Sequence, residues 1–463
     1  MPCSPRTLNG CLYETAPTVQ ADSKRRNGVK QESLLFGEDL RRRRLAAGLT
    51  VAQLARLVHY SKSQISKVER GVKPPSRDLA RLCDSVLRAE GSLVSLVRSR
   101  SGEDGLTSSR AGGGAPQGCV ERWLIQLSPS GQSWIQPMSR RKIIAAGAFL
   151  IPGTFISGTA VSETAEGAAP TTIFSTLFEQ YRRLGQVTDP RLLVPTLVTQ
   201  THALQELSRV SQGHSSKELL FLSSRYAEYT GWLIQETGND SAALWWTQRA
   251  VELASAAGDS GFAAYGLVRH ALVTLYRGDA ATTTHLARQA QRANGSLRVR
   301  GLAALREAQG HALACDYDAS MLALEQAETL LNANAKETEQ PVIGTRNLSQ
   351  PAEMIKGWCL YELGHPYAAA EILGQQLAAM PGDAVRARVR YGVRHALAYA
   401  TAGEVDHACR LTAGLLDDAM SIRSATIATD LRVLARTLGR HQKNPCVRDL
   451  APRLGTTLRA ATP

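Results

Sequence analysis

The chain of 463 residues is long enough for two or three domains, and its 5% aromatic and 21% charged residues, with Ala, Leu and Arg throughout, favour an all-α fold. Residues 1–110 carry 20 Lys and Arg against 11 Asp and Glu, so most of the net charge of +13 lies in this N-terminal part. A basic excess of this kind favours binding to a polyanion. The eight cysteines are far apart and lack a Cys-x-x-Cys pair, which excludes a dense disulfide framework and the usual zinc-ligand spacing and indicates a cytoplasmic protein.

The sequence is organised as an arm, a small domain, a linker and a large domain. Residues 1–33 show no apolar periodicity, which predicts a disordered arm, whereas residues 34–98 have the pattern of a compact helical domain. Residues 99–170 begin with a Gly- and Ser-rich stretch that is typical of a flexible linker. Residues 171–463 follow as a second domain built from successive amphipathic helices.

The small domain, residues 34–98, is predicted to contain five helices, four of them clear. The first ends at Gly48, which can adopt the positive φ of a helix C-terminus. The second and third helices each begin with a capping box, at Thr50–Gln53 and at Ser61–Gln64, and Ser76 caps the fourth. The apolar side chains predicted to face inward from the first three helices are Phe36, Leu40, Leu45, Leu54, Ala55, Leu57, Ile65 and Val68.

The third helix is the predicted recognition helix, because its outward positions carry short polar or cationic side chains that suit contacts in the major groove of DNA. Lysine and serine also occur on ordinary solvated helices. Two short capped helices separated by a tight turn, with the basic residues Arg41–Arg44 on the first helix, favour DNA binding over that alternative. The outward and flanking residues of the third helix are Lys62, Ser63, Ser66, Lys67, Arg70 and Lys73.

The stretch from Gly48 to Gly71 resembles the XRE (Cro and phage-repressor type) helix-turn-helix family. The resemblance implies binding to double-stranded DNA, and it implies a homodimer because one such module covers only a half-site. It assigns base contacts to Lys62, Ser63 and Lys67 and phosphate contacts to Gln53, Arg70 and Lys73. The full predicted DNA-binding set is Gln53, Lys62, Ser63, Gln64, Ser66, Lys67, Arg70 and Lys73.

Two positions depart from the pattern of that family. Val51 stands at the first residue of the second helix, where the family often has a phosphate-binding Gln, and the Val51 side chain cannot donate a hydrogen bond. His59 stands in the turn where the family usually has Gly, and a non-Gly residue at positive φ is uncommon, although His is among the enriched types. We therefore expect Gln53 to replace the missing phosphate contact only in part and the turn to be strained or slightly reshaped.

The linker contains Ser139–Lys142, which looks like a twin-arginine export motif, followed by the uncharged run Ile143–Ser162. The run is long enough to span a membrane, but its Gly, Pro, Ser and Thr content makes it too polar for a typical spanning helix, and it lies behind the small domain. A buried or loosely packed connector is therefore the favoured interpretation. The alternative is a membrane-anchored one-component sensor with residues 171–463 outside.

The large domain shows an internal register. Ala243, Ala280, Ala319, Ala369 and Ala408 each follow a turn signal, at spacings of 37, 39, 50 and 39 residues. A two-helix unit at this period predicts an α-solenoid, in which each repeat buries its apolar face on its neighbours. The domain resembles the tetratricopeptide-like domains that follow XRE modules in many regulators of high-GC bacteria.

Aromatic residues concentrate between residues 226 and 276. One interpretation is that they fill the core between repeats. In the other, Tyr229 and Trp232, with Arg269 and His270, line a concave groove that binds a peptide or a small-molecule effector.

Motifs of enzymes are absent from the sequence. It has no phosphate loop, no His-Glu-x-x-His and no Gly-x-Ser-x-Gly, so we expect no enzymatic activity, cofactor or metal. The expected function is a sequence-specific transcription regulator whose repeats serve as a sensor or dimerisation domain. The alternatives are a protein-interaction scaffold and the membrane-anchored sensor.

Overall fold

The computed structural model describes residues 33–97, 123–127, 133–137, 169–333, 342–344 and 347–460. The chain divides into two compact units, Met1–Val97 and Arg98–Pro463. The predicted arm, apart from Ser33, and the twin-arginine and apolar segment 139–162 lie outside the described residues. Among the helices described, none combines the length and the apolar character that a membrane crossing requires.

Residues 33–97, the described part of the first unit, contain five helices, as the sequence pattern predicts. Their bounds are 33–46 (α1), Val51–Leu57 (α2), Lys62–Glu69 (α3), Arg77–Leu87 (α4) and Ser92–Ser95 (α5). At the start of α2 the Thr50 hydroxyl accepts from the Gln53 N–H, and the Gln53 side chain accepts from the Thr50 N–H, so this capping box is complete. Ser76 caps α4 by accepting from the Leu79 N–H at 3.2 Å.

The first three helices of this unit each end with a left-handed residue, and α4 ends likewise at Arg88 with φ 49°. Gly48, His59 and Gly71 have φ values of 67°, 54° and 67°. After α2, the Tyr60 N–H reaches the Ala55 carbonyl at 2.9 Å and the His59 N–H reaches the Arg56 carbonyl at 3.2 Å, which is the Schellman arrangement. His59 therefore occupies the position that glycine usually takes, and the turn before α3 holds a left-handed non-glycine residue as expected.

The core of the first unit is formed by fully buried apolar side chains from all five helices, including Phe36, Leu54, Ile65, Leu79 and Leu93. Two side chains that the helical pattern places inward are instead exposed: Leu45 is 58% and Leu57 is 49% accessible. Leu45 lies in the last turn of α1 and Leu57 is the last residue of α2, so both project past the core that the other residues fill.

A short hairpin lies within the predicted linker 99–170. Strand β1 (Trp123–Leu127) pairs antiparallel with β2 (Ser133–Pro137). Two five-residue strands carry too little periodic pattern to stand out in the sequence, so the linker prediction did not include them.

The large domain is an array of helices that pack mainly on their neighbours in sequence. Their bounds are Pro170–Leu184 (α6), Pro190–Val210 (α7), Gly213–Glu236 (α8), Asp240–Ala257 (α9), Phe262–Tyr276 (α10), Ala280–Arg292 (α11), Leu297–Ala314 (α12), Tyr317–Ala333 (α13), Pro351–Glu362 (α14), Pro366–Ala378 (α15), Val385–Ala402 (α16), Val405–Ala413 (α17), Leu416–Ile422 (α18), Ala425–Leu438 (α19) and Pro445–Ala460 (α20), with a 3₁₀ turn at Gly439–His441.

Helices α8 to α17 alternate between an inner and an outer row. The inner helices α8, α10, α12, α14 and α16 each pack on the outer helix that follows, and α12 also contacts the inner helices on both sides. All five alanines of the predicted register fall in the first turn of an outer helix, and the long interval of 50 residues spans the connection between α13 and α14. Gly231 lets α8 approach α9 closely, because a Cβ there would lie 3.1 Å from the Ala243 carbonyl oxygen.

Candidate nucleic-acid interface and central cavity

The exposed face of α3 carries the residues predicted to contact DNA. At about 100° per residue, Lys62, Ser63, Ser66, Lys67 and Arg70 fall within an arc of about 140°. The buried side chains of α3 lie on the opposite side of the helix. Lys62, Ser63, Lys67 and Arg70 are exposed and Ser66 is half-buried, while Lys73 is exposed just beyond the helix. The face therefore presents cationic and short polar groups together.

Two of the residues predicted to contact DNA, Gln53 and Gln64, are less available for such contacts than the others. Gln53 is exposed, but its amide oxygen accepts from the Thr50 N–H at 2.8 Å, so only its NH₂ group is left to donate to a phosphate. Gln64 is half-buried at the edge of the exposed arc. The Ser61 hydroxyl accepts from the Gln64 N–H at 3.2 Å, and within residues 33–97 no return bond from the Gln64 side chain completes the second predicted capping box.

Arg70 is exposed and anchored on α3. Its Nε donates to the Ser66 carbonyl at 3.1 Å, which holds the side chain along the helix and leaves the terminal amino groups for a phosphate. Val51, at the first position of α2, offers no such donor, as expected from its side chain.

A buried ion pair fixes α3 to α1. Arg44 donates to Glu69 from Nε at 2.6 Å and from Nη2 at 3.0 Å, and its Nη1 donates to the Leu49 carbonyl at 2.7 Å. Both side chains are 7% accessible. Arg44 is therefore a structural cation rather than part of the basic flank that the run Arg41–Arg44 suggests, and its pKa is raised by the bond to Glu69.

The inner helices of the large domain surround a cavity of about 490 Å³. Side chains from α6, α8, α10, α12, α14, α16 and α19, together with residues 342–344, form its wall. The outer helices α9, α11, α13, α15 and α17 contribute none of the lining residues in the part of the chain that the structure describes. The concave side of the helical array is therefore closed into a pocket of the size that small molecules occupy.

Three of the four residues predicted for a ligand groove line this cavity, namely Tyr229, Trp232 and Arg269. His270 is half-buried outside the lining, because neighbouring residues of a helix point about 100° apart and Arg269 takes the inward position. The two interpretations of the aromatic residues each account for some of them: Tyr226 and Trp246 are buried between helices, whereas Tyr265 and Tyr276 face the cavity.

Arginines are the main feature of the cavity that the aromatic sequence pattern does not indicate. Eight of them line it, against four carboxylates: the arginines are Arg182, Arg183, Arg225, Arg269, Arg306, Arg386, Arg390 and Arg394, and the carboxylates are Glu228, Glu362, Asp383 and Asp430. Three of the arginines stand at i, i+4 and i+8 on α16, a spacing that puts them on one helix face and could have been recognised as a basic stripe.

A carboxylate at the end of α8 joins the two ends of the array. Glu236 is fully buried and accepts from Arg386 at 3.2 Å and from Ser424 at 2.5 Å, and Arg390 and Thr426 donate to its other oxygen. These partners lie 150 to 190 residues further along the chain. We call Glu236, Arg386, Arg390, Ser424 and Thr426 the closure cluster.

Backbone groups extend the same connection. The fully buried Arg386 also donates to the carbonyls of Gly185 at 2.7 Å and Thr188 at 2.6 Å, in the turn between α6 and α7. Helices α8 and α19 are in direct contact. The array thus closes on itself, and the cavity lies inside the closed array.

The closure cluster controls the ionisation of Glu236. Burial by itself raises the pKa of this carboxyl group, but the charges of Arg390 and Arg386 and the hydrogen bond from Ser424 outweigh burial and lower the pKa to about 2. Because the pKa is lower in the folded chain than in an unfolded one, ionised Glu236 stabilises the fold at pH values above about 4.5, and this contribution is lost as the pH falls toward 2.

We expect acid unfolding of the large domain to depend on Glu236. The fluorescence of its tryptophans, measured in urea between pH 6 and pH 2.5, should show stability falling with pH, and Glu236→Gln should remove a part of that slope. A part of the slope should remain, because the pKa of Glu307 is also lowered to about 2. Burial alone raises the pKa of Glu307, but hydrogen bonds from His311, Arg288 and Gln291 outweigh burial. An unchanged slope in Glu236→Gln would contradict the assignment.

Comparison with known families identifies the first unit. A family profile described as a helix-turn-helix domain matches residues 35–97. No curated protein matches the chain. No solved structure matches it either. Residues 35–97 form a helix-turn-helix domain, the class of module that places one helix in the major groove of DNA. No group of His, Cys, Asp or Glu side chains that could hold a metal ion occurs among the described residues.

Proposed function

We propose that this chain is a sequence-specific transcription regulator of the XRE type rather than an enzyme. In this proposal α3 reads double-stranded DNA and the large domain, with tetratricopeptide-like helix pairs, binds an effector that controls DNA binding. The observation that carries the proposal is the exposed cationic and polar face of α3 within the matched helix-turn-helix domain.

The roles within α3 follow from position. Lys62, Ser63 and Lys67 stand on the exposed arc where side chains reach base edges in the major groove. Arg70 and Lys73 follow at the end of the helix, where the DNA backbone passes, and they are assigned to phosphates. One domain of this size covers a half-site, so we propose that the chain binds DNA as a homodimer at a near-palindromic site.

We expect Lys67→Ala and Arg70→Ala to weaken DNA binding in different ways. Loss of a base contact at Lys67 should reduce the preference for the specific site by about 1–3 kcal/mol. Loss of a phosphate contact at Arg70 should weaken specific and non-specific sites alike and reduce the salt dependence of log K by about one counterion. Gel-shift titrations of the full chain at several salt concentrations, on a site selected from random DNA, measure both effects.

A matched control is Lys217→Ala, which removes one positive charge from an exposed position in the large domain. Its affinity for DNA should equal that of the unmodified chain. If Lys67→Ala and Arg70→Ala also leave DNA retention unchanged, α3 is not the recognition helix.

The effector role of the large domain is supported by the cavity. It is enclosed by inner helices of a closed array, has walls rich in aromatic and cationic side chains, and lies within the size range of small-molecule sites. Tyr229, Trp232 and Arg269 are the residues of this site that the sequence pattern predicts.

A further inference from the structure

Arg306 differs from the buried arginines of the cavity, since its side chain is half-buried and lacks a charged partner among the described residues. Arg269 lies 3.4 Å from Glu228, Arg386 lies 3.2 Å from Glu236, and Arg394 pairs with both Glu362 and Asp430. Arg306, on α12, lines the same cavity, yet within the residues that the structure describes it makes no ion pair and no hydrogen bond. It is a cation placed in the cavity without an anion.

The surroundings of Arg306 do not compensate its charge. Burial lowers its pKa, Tyr391, Tyr276 and Tyr265 act in the opposite direction, and the positive charge of Arg269 lowers the pKa further. These three tyrosines also line the cavity. Arg306 is half-buried, and a cation that is partly removed from water without a counter-ion is unfavourable in a folded protein. Such a residue is therefore explained best by a negative group that arrives with a ligand.

Other groups near Arg306 indicate what else the ligand carries. Gln309 stands one helical turn away on α12, and its buried Oε1 has no hydrogen-bond partner among the described residues. Trp232 and Trp358 also line the cavity; Arg386 and Arg394 lie over their rings at 5.7 Å and 4.9 Å, and Trp232 stacks on Tyr229. An anionic group at Arg306 and a planar, apolar portion beside this aromatic cluster would match both parts of the cavity.

We propose that the cavity binds a small organic anion, whose carboxylate or phosphate pairs with Arg306 and whose planar portion packs against Trp232 and Trp358. This inference rests on the proposed function in that it names the chemical class of the effector. The volume of about 490 Å³ matches a small molecule.

The first test needs no ligand. We expect Arg306→Met to leave the melting temperature of the full chain unchanged or to raise it, because the substitution removes an uncompensated charge. Arg394→Met is the matched comparison: it leaves Glu362 and Asp430 buried without their cation and should lower the melting temperature by about 5 °C or more. Tryptophan fluorescence reports both. If Arg306→Met lowers the melting temperature as much as Arg394→Met, Arg306 has a structural role and the proposal is wrong.

The second test measures binding. Tryptophan fluorescence of the full chain is titrated with sodium benzoate, adenosine monophosphate and inorganic phosphate at constant ionic strength. We expect saturable changes with benzoate if the anion is a carboxylate, or with adenosine monophosphate if it is a phosphate, and at least about tenfold weaker binding in Arg306→Met. If inorganic phosphate binds as tightly as the organic probes, the ligand needs no planar portion and that part of the proposal is wrong.

Absence of saturation by all three probes, or equal affinity in Arg306→Met, would overturn the proposal as a whole. No DNA is present in either test. A failure here therefore leaves the DNA-binding proposal unaffected, and a failure of the gel-shift experiment leaves these two results interpretable.

Discussion

Glu236→Gln is expected to lower the free energy of unfolding of the large domain by about 3–5 kcal/mol, because it leaves the buried Arg386 and the partly buried Arg390 without their shared anion. Glutamine has the shape of glutamate, so the change tests charge rather than volume. Urea unfolding of the full chain, followed by tryptophan fluorescence, measures the loss. All six tryptophans lie outside residues 33–97, so the signal does not report on the helix-turn-helix domain.

Glu252→Gln is the control for that experiment. Glu252 is 52% accessible on the outer helix α9 and pairs with Arg249 at 3.2 Å. An exposed pair of this kind contributes at most about 1 kcal/mol, so Glu252→Gln should unfold almost as the unmodified chain does. Equal and small effects of the two substitutions would show that the closure cluster does not hold the ends of the array together.

Arg44→Met should destabilise the helix-turn-helix domain by about 3–5 kcal/mol. The substitution leaves Glu69 buried at the end of α3 without its cation and removes the bond to the Leu49 carbonyl. Because α3 is then no longer fixed to α1, DNA affinity should fall as well, although Arg44 does not face DNA in our assignment. Hydrogen exchange of peptides from residues 33–97, measured by mass spectrometry, reports the stability of this domain separately from the larger one.

Arg42→Met provides the comparison on the same helix. Arg42 is 75% accessible and pairs with Asp39 at the surface, so its loss should change exchange rates little. Should Arg42→Met and Arg44→Met raise the exchange rates equally, the buried pair would not be what holds α3 in place.

The helix-turn-helix domain could be predicted well because its signals are local. Caps such as Thr50 and Ser76, and helix ends such as Gly48, depend on residues within one or two turns of each other. His59 could be recognised for the same reason, since the turn imposes a left-handed residue whatever its type. The exposure of Leu45 and Leu57 could not, because the helical period gives the apolar face of a helix but not where the partner surface ends.

The large domain could be predicted as paired helices, but its closure and its cavity could not. The register of alanines is a local pattern repeated along the chain. In contrast, Glu236 meets partners 150 to 190 residues away, and no periodicity links them. Arg306 looks in the sequence like any other arginine of a solvated helix. Its missing counter-ion becomes visible only when the surrounding helices are placed in space.

Closure fixes the number of repeats. An open solenoid tolerates the gain or loss of a helix pair, since each pair contacts only its neighbours and the stability of the array is close to a sum of local contributions. Here Arg386 must reach both the turn after α6 and the end of α8, so one pair more or fewer would move it out of range. The domain should therefore fold slowly for a helical protein and unfold as a whole, without fraying from its ends.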